Sequence, residues 1–202
     1  MTAREFAASA EAAAEARNLA EKHGFPYWVA WCDIILAALE RPTDPNRGRA
    51  LLTAAIGQYQ QTGARQLVPY ARALEAECCL DADRPMEART ALDAALAVVE
   101  ETGVRLYQAE ILRLRACTAY RLDESTGDSH LGASLELARE QAAGSFVLRG
   151  LVTRFEKAAA EGTRNVGRRD LMEILLTMAE EPETADILAA RELLAQPNTR
   201  QR

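Results

Sequence analysis

At 202 residues the chain has room for one large domain or two small ones. Hydrophobic residues make up 49% of it but aromatics only 5%, so a core must be assembled mainly from alanine, leucine, isoleucine and valine. Alanine and leucine are strong helix formers and β-branched runs are scarce, which points to an all-α protein, while a formal net charge of −6 argues against nucleic acid as the main partner.

The opening stretch, "MTAREFAASAEAAAEARN", lacks both a positively charged lead-in and a continuous apolar segment, so it does not read as a secretory signal. No run of about eighteen apolar residues follows anywhere, so no membrane span or membrane partner is expected, and the four cysteines, Cys32, Cys78, Cys79 and Cys117, show no even loop-stapling spacing, so a reducing cytoplasm is the simpler reading. The stretch "REFAASAEAAAEARNLAEKHG", within residues 1–24, reads as an orphan or capping helix, or as the continuation of something longer.

Three units of similar order then follow, each running break, helix A, polar turn, helix B, break. Gly24, Gly63 and Gly103 fall about forty residues apart and mark the breaks, with a further break at Gly144. The unit over 25–63 consists of "FPYWVAWCDIILAALE", the turn "RPTDPNR" and "GRALLTAAIGQYQQTG". The unit over 64–103 consists of "LVPYARALEAECCL", the turn "DADRP" and "MEARTALDAALAVVEETG". The unit over 104–144 consists of "LYQAEILRLRACTAYRL", the turn "DESTGDS" and "HLGASLELAREQAAG". Proline and aspartate punctuate the turns as helix boundaries require. In the second helix B, Ala88, Ala91, Leu92, Ala95 and Val99 form an apolar face opposite Glu87, Arg89 and Asp93. Residues 145–180 give a fourth, irregular unit, and 183–195 a C-terminal capping helix before a polar tail.

Two helices repeated every 33 to 47 residues or so is the mark of an α-solenoid, in which neighbouring pairs stack into one continuous core. Small residues at the crossings, Ala76 and Ala116 in the A helices and Ala55 and Ala95 in the B helices, suit that stacking. The expected architecture is a single right-handed solenoid of antiparallel helix pairs.

At Ala76, Ala88, Leu92 and Ala95, in a small–large–small arrangement, the chain resembles the tetratricopeptide (TPR) family, with units of about forty residues in place of thirty-four. The stretches "FPYWVAW", "QYQQTGARQLVPY", "EETGVRLYQAEILRLRA" and "ETADILAARELLA" narrow it further. They look like the C-terminal helical repeats of large bacterial signalling proteins, where a nucleotide-cyclase or transcription-regulator domain and a STAND-type ATPase precede a TPR array. The resemblance implies a regulatory or scaffold arm. No cyclase or ATPase motif lies in these residues, so neither activity is carried over.

By the same resemblance, Trp31, Tyr70, Glu77, Glu110, Arg113 and Tyr120 line the concave surface and form a partner-binding groove. Glu110 and Arg113 are three apart and share a helix face. The plain alternative is a solvated face with an ion pair worth roughly 0.2–0.5 kcal/mol. Trp28 and Trp31, beside Phe25 and Tyr27, make an aromatic knot that either anchors a partner or packs against Phe6 or Leu19; Trp31 is the better binding candidate of the two.

Cys78 and Cys117 sit thirty-nine apart at equivalent places and read as packing residues. Zinc binding would want CxxC pairs or nearby histidines, and neither metal nor other cofactor is expected. Neither His23, at a helix end, nor His130, opening a helix B, joins a nucleophile or a carboxylate in a catalytic pattern. "GTRNVGRR" from Gly162 lacks the Lys–Ser/Thr and preceding strand of a phosphate loop, and the basic cluster Arg164, Arg168 and Arg169 is short.

The expectation is a non-enzymatic module that binds a protein or peptide segment, or neighbouring cyclase and ATPase domains of a larger chain. The alternative is a regulator that takes a small effector in the same groove. Self-association is open under both.

Overall fold

A computed structural model of the chain describes residues 3–163, 167–179 and 182–196. Among the described residues there are ten α-helices and no strand: α1 (Ala3–Lys22), α2 (Pro26–Glu40), α3 (Pro45–Gln61), α4 (Val68–Asp81), α5 (Pro85–Thr102), α6 (Gln108–Arg121), α7 (Gly127–Glu140), α8 (Gly144–Ala160), α9 (Arg168–Thr177) and α10 (Ala185–Ala195). No helix among them is long and apolar enough to cross a membrane.

The punctuation that starts and stops these helices is local. Pro26, Pro45, Pro69 and Pro85 occupy the first or second position of four successive helices, where the missing N–H costs nothing and the fixed φ is already helical. Asp44 caps α3, its carboxylate accepting from the Arg47 N–H at 3.0 Å. This cap starts α3 at Pro45 rather than at Gly48, where the sequence reading began it. At the other end of a helix pair, Gly103 takes φ +69° and donates its N–H to the Val99 carbonyl at 2.8 Å, a left-handed stop that glycine adopts without strain.

Two further expectations shift. Gly144 was expected to break the chain, but it is the first residue of α8, and Ala142 makes the left-handed turn instead, at φ +52°. α7 begins at Gly127, so His130 lies in its first turn instead of opening it.

Each helix packs on the next in sequence, and the even-numbered helices also touch in series: α2 on α4, α4 on α6, α6 on α8, α8 on α10. Three apolar clusters follow that order. The first joins α2, α3 and α4 around Ile34, Leu52, Ile56 and Tyr59. The second joins α4, α5 and α6 around Leu92 and Ile111, and the third runs from α6 to α10 around Leu135, Leu148, Phe155 and Ile187. Ala55, Ala76, Ala95 and Ala116 are all buried, and small side chains at a crossing shorten the distance between helix axes.

Ala142 is exposed and holds a backbone conformation that costs an L-residue about 1–2 kcal/mol. Ala142→Gly should therefore stabilise the fold by about 1 kcal/mol and raise Tm by about 2–4 °C in a thermal melt. An unchanged or lower Tm would count against the strain.

Candidate functional site

The contacts between even-numbered helices bring one face of each into register. The first feature of that face is aromatic. Tyr70, near the start of α4, stacks on Tyr107, the residue before α6, with ring centroids 4.6 Å apart, and Tyr107 meets Phe146 of α8 edge-on at 6.4 Å. On α2, Trp31 lies 5.5 Å from Trp28 and 5.9 Å from Tyr27. Trp31, Leu74 and Tyr107 all pack, partly buried, on one apolar cluster.

The second feature is a chain of ion pairs crossing from helix to helix. Arg41, just past α2, holds Asp81 at 2.7 Å and also Glu77 of α4. Glu77 faces Arg113 of α6 at 3.7 Å. Arg113 grips Glu110 with two nitrogens, at 2.7 and 2.9 Å, and Glu110 accepts a further bond from Arg149 of α8 at 3.0 Å. Arg149 reaches Asp186 of α10 at 2.7 Å. Arg113 also donates to the Thr153 hydroxyl at 3.2 Å. A cavity of about 250 Å³ opens beside Glu77, Arg113, Arg149 and Glu156.

Burial and pairing set opposite protonation tendencies for the two glutamates. Glu110 is only 4% exposed. Burial would push its pKa up, but the bonds from Arg113 and the charge of Arg149 outweigh that, and it lies below the ordinary 4.5. Glu77 is pushed above 4.5, because burial outweighs the help from Arg41 and the nearby Glu110 charge adds to the rise. Arg113 is held firmly protonated: burial opposes its charge, and Glu110 more than compensates. The forked pairing of a guanidinium with a carboxylate is the geometry that makes such burial tolerable.

Of the six candidate residues, four take part in contacts across α4 and α6: Tyr70 in its stack on Tyr107, and Glu77, Glu110 and Arg113 in one set of ion pairs. Tyr120 lies at the other end of α6, donating to Asp128 at 2.8 Å with the Lys157 ammonium 5.1 Å from its ring centre. Trp31 sits in the aromatic knot, partly buried, while Trp28 is the more open indole at 52%. The solvated-face alternative for Glu110 and Arg113 does not hold, because the carboxylate is buried and bridges two arginines. Leu19 is 59% exposed, and Tyr27 of the knot meets Tyr59 of α3 at 5.3 Å. The side chain of Phe6 lies outside the described residues.

Sequence reasoning missed Arg41, Arg149 and Asp186 as members of the ion chain, and Tyr107 and Phe146 in the aromatic row. A signal was there: Tyr107 and Phe146 are thirty-nine apart, and Arg113 and Arg149 thirty-six, close to the unit length.

The other singled-out groups have quieter roles. Cys78 is buried and its thiol pushed up to about 11 by burial, which keeps it an uncharged packing group. No group of three or more histidine, cysteine, aspartate or glutamate side chains placed to hold a metal ion occurs among the described residues. Arg168 donates to the Leu194 carbonyl at 3.0 Å and Arg169 pairs with Glu173 at 3.6 Å, while Arg164 lies outside the described residues.

No family model, characterised protein or solved structure matches the chain.

Removing one partner of a buried pair leaves the other uncompensated, at a cost of about 3–5 kcal/mol. Glu110→Gln should therefore lower the free energy of unfolding by about 3 kcal/mol at pH 7 in urea titrations. Because the pKa of Glu110 is depressed on folding, this difference is fully present above pH 4.5 and shrinks as pH falls through the lower folded value. A difference that does not change with pH would mean the carboxylate's charge is not what stabilises the fold.

Proposed function

We propose that the chain is a non-enzymatic protein-interaction module, built as a TPR-like α-solenoid, whose even-numbered helices present a groove for a segment of a partner protein. The observation that carries this reading is the row of half-open aromatic side chains, Trp31, Tyr70, Tyr107 and Phe146, drawn from four elements that touch in series. Trp and Tyr offer large contact area at little conformational cost and dominate binding energy at protein interfaces. The ion chain beside them fixes the helices relative to one another, so the face is formed before a partner arrives. Preformed faces bind at a lower entropic cost. The resemblance to bacterial signalling arrays makes neighbouring cyclase or ATPase domains candidate partners, with the chain acting as their regulatory arm.

A second reading has its own support. A cavity of about 690 Å³ at the C-terminal ends of α6 and α8 falls within the roughly 300–1,000 Å³ range of small-molecule sites, so a small effector is the alternative occupant.

The test uses affinity capture followed by titration of the captured protein. Tyr70→Ala should weaken binding by about 2 kcal/mol, roughly thirtyfold, while the circular dichroism spectrum stays that of the parent and stability falls only by the loss of the Tyr107 stack, about 0.5–1.5 kcal/mol. Binding unaffected by Tyr70→Ala would remove the groove reading. A low-molecular-weight extract that raises Tm in a concentration-dependent way would favour the effector reading.

A further inference from the structure

The two ends of the even-numbered face differ in chemistry. At the C-terminal ends of α6 and α8, the cavity of about 690 Å³ is bordered by five carboxylates, Asp123, Glu124, Asp128, Glu156 and Glu161, against two cations, Arg121 and Lys157. Both cations are already engaged. Arg121 turns to Asp83 at 3.3 Å, and Lys157 bridges Asp128 at 3.0 Å and Glu161 at 3.2 Å. Glu124 is paired with Arg89. Among the described residues Glu156 makes no ion pair: the cation that acts on it is Arg113, which Glu110 holds in a fork. Partial loss of water pushes the pKa of Glu156 up, a strain that an added cation would relieve.

Two other features of this cavity favour positive charge. The last turns of α6 and α8 both reach its rim, and helix C-termini carry partial negative charge. Its aromatic wall, Tyr120, already accepts an ammonium, since Lys157 lies 5.1 Å from the ring centre. Gly127 makes room for that ring, because a Cβ at this position would fall inside it.

The other end is apolar. Trp28, Trp31 and Ile35 stand at i, i+3 and i+7 on α2, and Trp28 and Ile35 are exposed. Between α2 and the α6–α8 cavity lie two to three helix-to-helix steps of about 8–10 Å, and the indoles stand at the start of α2 while the cavity lies at helix ends, about 15 Å further along the axes, for a span of roughly 25–35 Å. An extended chain covers that in about eight to eleven residues.

We propose that the occupant of this face is a partner segment that places a lysine or arginine side chain in the acidic cavity between α6 and α8 and an apolar side chain on the α2 indoles. The proposal rests on the groove reading above and names the partner's chemistry. Charge complementarity fixes the direction in which the segment lies.

Selection of the full chain against a random library of displayed peptides about twelve residues long tests it directly. The expected winners share a lysine or arginine about eight to eleven residues from a Trp, Phe or Leu. A synthetic winner should lose about tenfold in affinity to Glu156→Lys and to Trp28→Ala, and bind more weakly as salt is raised. Glu156→Gln is made in parallel; if Glu156→Lys disturbs the circular dichroism spectrum, a several-fold loss with the glutamine variant decides the point. Winners with no basic position, but still weakened by Tyr70→Ala, would overturn the cation site and leave the groove standing. Failure to enrich any peptide whose binding depends on Tyr70 would overturn both.

Discussion

The face shared by α4, α6 and α8 depends on a single buried carboxylate. Glu110 is closed off from water yet bonded to Arg113 on its own helix and to Arg149 on the next. A lone charge in that position would cost several kcal/mol, so the two guanidiniums must be where they are for the helices to close. Since Arg113 also faces Glu77, and Glu77 is held by Arg41, one requirement propagates from α2 to α8 and, through Asp186, to α10. Apolar packing sets how near the helices lie. The charged bonds that cross between helices, Arg41 to Asp81 and Arg149 to Glu110 and Asp186, set how far one may slide along the other, because such a bond weakens as its partners move apart.

Much of the secondary structure was legible in the sequence, and the reasons are local. A proline just inside a helix, an aspartate at its cap and a glycine past its end each act within four residues, so Pro26, Asp44 and Gly103 can be read where they stand. The failures share a cause. Gly144 looks like a stop by composition, but the chain turns at Ala142, where the packing of α7 on α8 overrides a residue preference worth only about 1–2 kcal/mol. The ion chain was only half legible. Glu110 and Arg113 are three apart and visible as a pair, whereas Arg41 and Glu77, or Glu110 and Arg149, are thirty-six and thirty-nine apart and meet only because helices two apart in sequence come into contact. Spacing could show which residues share a face; it could not show that the face is buried.

Burial changes what the candidate residues can do. A residue engaged in holding two helices together is a poor anchor for a partner, since a partner would have to break the pair and leave an uncompensated charge. Arg113 and Glu110 therefore belong to the frame, and replacing either tests the frame before it tests binding. Residues that keep open area, Tyr70 and Trp28 above all, are where a binding defect can be separated from a folding defect.

The same reasoning locates where an incoming segment could gain energy. In the middle of the face Arg41, Glu77, Glu110, Arg113, Arg149 and Asp186 are matched to one another, and a polar partner there would exchange one set of bonds for another with little net gain. At the α2 end, exposed indole surface can be removed from water, and at the α6–α8 end Glu156 faces solvent with no ion pair among the described residues. On the proposed reading these two ends supply the attraction and the paired middle supplies the rigidity, which keeps the two anchor points at a fixed separation. A face of this kind selects a partner by the distance between two dissimilar side chains, because a segment that reaches only one end forfeits the other's contribution entirely.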